Sequence, residues 1–195
     1  MRLLSFEYSP AAYRADFISY GTAVAGLSAV LIVRSPRARA LELAAFVVAG
    51  LAVWTVIEYV MHRFVMHGLD PIRRWHAQHH RHTTALIGAP TLLTATAVFL
   101  VVFLPAVAAT DVWRGSALTL GVVTGYLCYG ITHHAVHQWH GDNAWLRRRK
   151  RWHALHHDRG QHAWFGVTTS FWDHVFRTAP PIQARPSRAR NAPRR

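Results

Sequence analysis

The chain is poor in cysteine and in acid. Its single cysteine, Cys128, lies inside an apolar run, which excludes an intrachain disulfide and a thiolate cluster for a metal. Only 9 aspartates and glutamates stand against 22 lysines and arginines, a formal charge of +13. A cleavable leader is also missing by pattern. Residues 1–14 carry Arg2, Glu7, Tyr8 and Arg14, and no small-residue cleavage site follows a short apolar core, so the first apolar run is expected to stay as a helix. What the chain has in place of cysteine is histidine. There are 15, all between residues 62 and 174, the only abundant metal-ligand type present.

Four apolar runs, roughly 15–33, 43–61, 90–109 and 116–138, each approach the ~20 residues that a helix needs to cross ~30 Å of hydrocarbon. A soluble bundle would keep a polar face on such helices, and these mostly lack one. The expected fold is therefore all-α: an integral membrane protein of four transmembrane helices, with a cytoplasmic helical cap at 139–178. Residues 1–178 read as one membrane-embedded domain, and 179–195, with several prolines and arginines and little to bury, as a disordered basic tail attracted to anionic headgroups or merely solvated. Four crossings bring both termini and the 62–89 segment to one side. That side holds 18 of the 22 cations, which makes it cytoplasmic by the positive-inside rule. The loop 34–39 (RSPRAR) votes the other way with three arginines.

All the histidine groups fall on that one face. His62 and His67 form H-x4-H; His76, His79 and His80 form H-x-x-H-H; His133 and His137 form H-x3-H; His153, His156 and His157 repeat H-x-x-H-H inside a second WHxxHH phrase. Residues three and four apart share a helical face, so each triple should point its imidazoles in one direction. The five-residue step from His62 to His67 suits one α-helical face poorly and places that pair at a helix end or turn. Ten imidazoles in two matched sets are enough to surround two metal ions. Imidazole suits iron, zinc, copper and nickel alike, whereas structural zinc needs only four ligands. A site at a membrane face, within reach of a lipid chain, is best used by an oxygen-activating pair of iron ions.

Among the few acids, Glu58 lies four residues before His62 inside an apolar run, where an unpaired carboxylate is costly. It is expected to accept the second ring N–H of a ligand histidine, as are Asp158 and Asp173. Asp70 and Asp142 read as turn residues. His82, His134, His140, His162 and His174 fall outside the pattern. Trp75, Trp152, Trp164 and Phe165 are candidates to line a pocket or anchor the interface, and Arg147–Arg151 (RRRKR) to dock an acidic electron donor or bind headgroups.

The order of these motifs resembles the fatty acid hydroxylase superfamily over roughly residues 54–178. EYVMHRFVMHG is similar to its opening motif, and GYLCYGITHHAVH and HALHHDRGQHAWFGVTTSFWDHVFRT look like the fatty acid 2-hydroxylase group. The resemblance implies a multi-pass enzyme with two iron ions on the ten histidines, hydroxylating a lipid C–H bond, most simply of a fatty acyl chain, with O2 as co-substrate. Zinc is the expected substitute for iron in purified or crystallised protein. The expected partners are the membrane, the lipid and a separate electron donor of cytochrome or ferredoxin type, since no fused cytochrome is seen; nucleic acid is not expected. Gly130 stands after Tyr129 where the family often has aspartate, so an outer contact is expected to be lost. HRFVMHG is shared with carotenoid hydroxylases, which keeps a carotenoid or sterol open as substrate. The non-enzyme alternative, a membrane metal carrier, would place ligands along a path through the membrane.

Overall fold

Each apolar run becomes a helix, and two of them start at a side-chain cap. The computed structural model describes residues 8–141, 143–158 and 163–179. Asp142, His162 and the basic tail from residue 180 onward lie outside the described residues. Helix α1 (Pro10–Arg34) begins with Ser9 accepting the Ala12 N–H and with proline at its first position, where the missing N–H costs nothing. Helix α2 (Ala40–Val60) runs on into a π-helical turn, Met61–Met66. After α3 (Ile72–Arg81), α4 (Thr91–Val98) and α5 (Leu104–Ala109) join through a π segment at Phe99–Phe103. The Asp111 side chain caps α6 (Val112–Gln138) by accepting the Trp113 and Arg114 N–H groups. Helices α7 (Ala144–Asp158) and α8 (Phe171–Val175) complete an architecture with no strand among the described residues.

Three helical stretches are long and apolar enough to cross a membrane: Pro10–Arg34, Arg37–Met66 and Thr91–Ala109. Their large apolar side chains face outward, with Ile32 and Leu92 each 80% exposed, as suits a lipid solvent rather than water. The protein is a membrane protein. Helix α6 is the central element and buries Ala117, Leu120, Val122 and Val123.

The parallel pair α2 and α6 is joined at two levels. At the end away from the histidines, Arg39 and Arg114 share Glu42 and Asp111 in a closed ion network. Halfway along, Gly50 and Gly121 let the two backbones touch. A Cβ on Gly121 would lie 2.1 Å from the Val47 carbonyl oxygen, and one on Gly50 2.1 Å from that of Leu118, the small-residue contact typical of helices in lipid. Beyond these contacts lie His62, in the π turn after α2, and His133, in the last turns of α6.

Candidate metal centre

Two adjacent groups of imidazoles converge beneath the ends of α2 and α6. One comprises His62, His67, His76, His80 and His156; the other His79, His133, His137 and His153. The tenth, His157, has its Nε2 3.1 Å from that of His153 and stacks on His80 with ring centroids 4.1 Å apart, so it sits where the groups meet. All ten expected residues are therefore brought together. His82, His140 and His174 are exposed, and the His134 Nδ1 lies 3.4 Å from the Tyr13 hydroxyl, away from both groups.

The first pair is positioned by the π turn. Widening the helix to i→i+5 bonding puts residues five apart on one face, so the His62 and His67 rings come within 5.1 Å. The spacing that fits an α-helix poorly is the hydrogen-bonding step of this turn. The two triples differ from expectation. Positions four apart on a helix diverge by only about 40°, whereas the middle histidine lies about 60° from the first and 100° from the last. His76 and His80 accordingly stay in the five-membered group while His79 crosses to the other. In the second triple His153 stays and His156 crosses. Each group thus borrows one imidazole from the opposite half of the chain.

The Nε2 atoms face one another. Separations run from 2.7 Å for His153–His137 to 3.2 Å for His62–His76, with His67–His156 and His133–His79 at 3.1 Å. Two nitrogens each ~2.1 Å from a metal lie about 3.0 Å apart at a right angle and about 3.4 Å apart at the tetrahedral angle. The observed spacings are those of ligands around an ion. The protonation states agree. His62 Nδ1–H donates to the Phe165 carbonyl at 2.5 Å and His156 Nδ1–H to that of Ala163 at 2.8 Å, which leaves both Nε2 lone pairs pointing inward. Burial, reinforced by neighbouring imidazoles, holds His79 and His156 down at about 3 and His157 at about 4; these three rings are neutral donors at pH 7. The His79 and His80 Nδ1 atoms are buried without a partner. This donor set fits a pair of soft-to-borderline divalent ions.

The three carboxylates expected to accept imidazole N–H groups do not. Buried Glu58 accepts the Val167 N–H at 2.6 Å, the Thr168 N–H at 2.9 Å and the Thr168 hydroxyl. Buried Asp173 accepts the Phe165 and Gly166 N–H groups, both at 2.8 Å, and the Thr178 hydroxyl at 2.7 Å. Asp158 is exposed at the end of α7 with no hydrogen bond to a described residue. The backbone carbonyls of Ala163 and Phe165 take the role assigned to these acids. Sequence reasoning missed them because a backbone acceptor has no side-chain signature.

The aromatic residues divide. Phe165 is buried with its ring against His62, His67 and His156, closing the five-membered group. Buried Trp152 and Trp164 stack with ring centroids 5.2 Å apart, so both are interior supports, while Trp75 is half-buried. Gly130 rests on Phe17, whose ring would lie 3.3 Å from an added Cβ; ring packing occupies the place of the expected carboxylate. A cavity of about 400 Å³ opens onto the second group, lined by His137, His153, His157, Thr83, Lys150 and Asp158 among others. Asp70, exposed before α3, pairs with Arg73 and Arg74, as a turn residue.

Comparison with known proteins accords with this geometry. Residues 47–178 match the family model described as fatty acid hydroxylase. Two dihydroceramide fatty acyl 2-hydroxylases of Arabidopsis thaliana are 34% and 33% identical to it over 152 and 156 residues, each match covering 73% of this chain and 64% of the relative. Mus musculus fatty acid 2-hydroxylase is 31% identical over 152 residues, covering 71% of this chain and 40% of the relative. The chain therefore spans less than two thirds of these relatives' length. The solved hydroxylase domain of scs7p shares the fold at a TM-score of 0.72 and 23% identity, over 87% of this chain and 67% of that one. With its two histidine groups inside the matched segment, the chain belongs to the fatty acid hydroxylase family.

Proposed function

We propose that the protein is a membrane-bound hydroxylase of a fatty acyl chain, working with two iron ions held by the ten histidines. The observation that carries this reading is the convergence of inward-facing Nε2 atoms into two groups spaced as ligands, in a chain of the fatty acid hydroxylase family. Held by these ten histidines, a pair of iron ions would supply the O2 activation by which one oxygen atom enters a lipid C–H bond and the other leaves as water, with two electrons and two protons consumed.

The chain's own residues supply the rest. Residues 1–178 act as a single hydroxylase domain, with α6 as the fourth crossing. The cavity at His137, His153 and His157 admits the reacting end of the lipid, and Phe165 keeps water from the opposite group. Neutral imidazoles at pH 7 remain ready as donors. Helix α7 turns Arg147, Arg148 and Arg151 outward, complementary to an acidic donor protein delivering the electrons. The histidine face is cytoplasmic: of the four cations at the other end, Arg39 and Arg114 are tied to Glu42 and Asp111, which weakens the contrary vote of loop 34–39.

Purified protein should contain iron and consume O2 when given reductant and an acyl lipid, and 18O from labelled O2 should appear in the lipid hydroxyl. His79→Ala and His156→Ala each remove the imidazole that crosses between halves and should abolish hydroxylation. Full activity in both variants would overturn the site.

A further inference from the structure

We propose that Glu58 and Asp173 are positioning residues that fix loop 163–168 so that it presets the five-histidine group alone, leaving the four-histidine group unbraced. This rests on the reading that both groups hold metal.

The two carboxylates act in the same way from opposite sides. Asp173 takes the N–H groups of Phe165 and Gly166, and Glu58 those of Val167 and Thr168. Four consecutive backbone donors are thus drawn onto two buried anions, each also given a threonine hydroxyl. A buried carboxylate holds firmly to such donors because they replace the water that burial removes from it. With the N–H groups so committed, the Ala163 and Phe165 carbonyls are left to receive His156 and His62 Nδ1–H. The ring of contacts is closed by Thr178, whose Oγ1 accepts the Tyr59 hydroxyl at 2.9 Å, and Tyr59 adjoins Glu58 on α2.

Two further observations show how tightly the loop is set. Trp164, between the two carbonyls, has φ of 58°, a conformation that a bulky residue adopts only under constraint. It is held there by its N–H on the Thr178 carbonyl at 2.9 Å and by stacking on Trp152. Gly166 admits no side chain: a Cβ would lie 1.9 Å from the Thr169 carbonyl oxygen and 2.9 Å from Asp173 Oδ2. No equivalent brace reaches the other group. Among the described residues, no carbonyl or carboxylate accepts a ring N–H from His79, His133, His137 or His153, whereas in the five-histidine group His62 and His156 are both braced, even though His80 Nδ1, like His79 Nδ1, is buried without a partner.

Outer partners of this kind alter metal affinity by about 10–100-fold when removed, and here the loss should fall on one ion of two. The test is uptake of Co(II) by metal-free full-length protein in detergent, followed by its visible absorption. The unaltered protein should take up two equivalents. Glu58→Gln and Asp173→Asn should each weaken one uptake step by about 10–100-fold and spare the other. His133→Ala should remove the complementary step, and Glu58→Gln combined with His133→Ala should affect both. Glu42→Gln, which disrupts a carboxylate network at the far end, controls for loss of stability and should keep both steps. Should the carboxylate variants fail to fold, Thr168→Val and Thr178→Val remove one hydroxyl each, leave the anions in place, and should give the same selective weakening in smaller degree. The proposal is overturned if folded variants keep both steps, or lose both equally. An unaltered protein taking up no pair of ions would instead refute the functional reading beneath it.

Discussion

A single methyl group at the crossing of α2 and α6 should disturb the metal centre from a distance. Gly121→Ala places a carbon 2.1 Å from the Val47 carbonyl oxygen and 2.8 Å from both Gly50 Cα and Leu51 N. All three are backbone atoms, so no side chain can swing away. Reaching ordinary contact at about 3.4 Å requires the helices to part by about 1.3 Å, and overpacking of this kind costs typically 1–3 kcal/mol. The consequence is not confined to the crossing. His62 lies twelve residues beyond Gly50, and His133 twelve beyond Gly121, so each ligand is about 18 Å along its helix from the contact. Because the helices run in parallel, separating them there separates the imidazoles they carry. Displacements of about 1 Å in a reacting geometry can cost ~100-fold in rate. The expected result is a lower melting temperature in detergent, reduced metal content and strongly reduced hydroxylation. A Gly121→Ala protein with unaltered melting, metal content and turnover would refute the claim that backbone contact at this level sets the spacing of the site.

Other perturbations separate access and protonation from ligation. Ala154→Trp fills the cavity beside His153 and His157 from an exposed position on α7; metal content should be kept while lipid hydroxylation falls, and turnover at the normal rate would show that substrate enters elsewhere. Acid should unfold the metal-free protein. His79 and His156 titrate near 3 and His157 near 4 in the fold, against ~6.5 in an unfolded chain, so the unfolded state binds more protons throughout this window. Stability is then fully present above pH 6.5 and lost as pH falls towards about 3. Melting curves from pH 7.5 to 4.5 should show that decline, with bound metal shifting it to lower pH; a flat profile would contradict neutral, crowded imidazoles.

Much of the histidine cluster was legible in sequence because its members are side chains with helical spacing. The ten histidines, their convergence on one face and the helices carrying them follow from period and apolarity. The braces do not. Glu58 was recognisable as a costly buried acid, yet its partners are the N–H groups of Val167 and Thr168, 109 and 110 residues away, and no periodicity encodes that pairing. The π turn at Met61–Met66 left one trace, the five-residue step between His62 and His67, which an α-helical template reads as a defect. The crossing of His79 and His156 was hidden for a related reason. Helical angles tell which histidine of a triple stands apart, but not that another group waits on the side it faces.

That exchange explains why the same phrase is written twice. If each triple served only its own half, one WHxxHH helix with its neighbouring pair would suffice for one ion, and the halves could drift apart. With the middle histidine of each triple given to the other group, neither group is complete without both halves. A site assembled in this way exists only in the folded protein, so the affinity of an ion bound in either group would also contribute to holding α3 against α7. Removing His79 or His156 should therefore lower the melting temperature of the metal-loaded protein more than that of the metal-free protein. A ligand confined to its own half, such as His67, should show a smaller difference. Equal differences for the crossing and non-crossing histidines would mean that the exchange has no part in joining the halves.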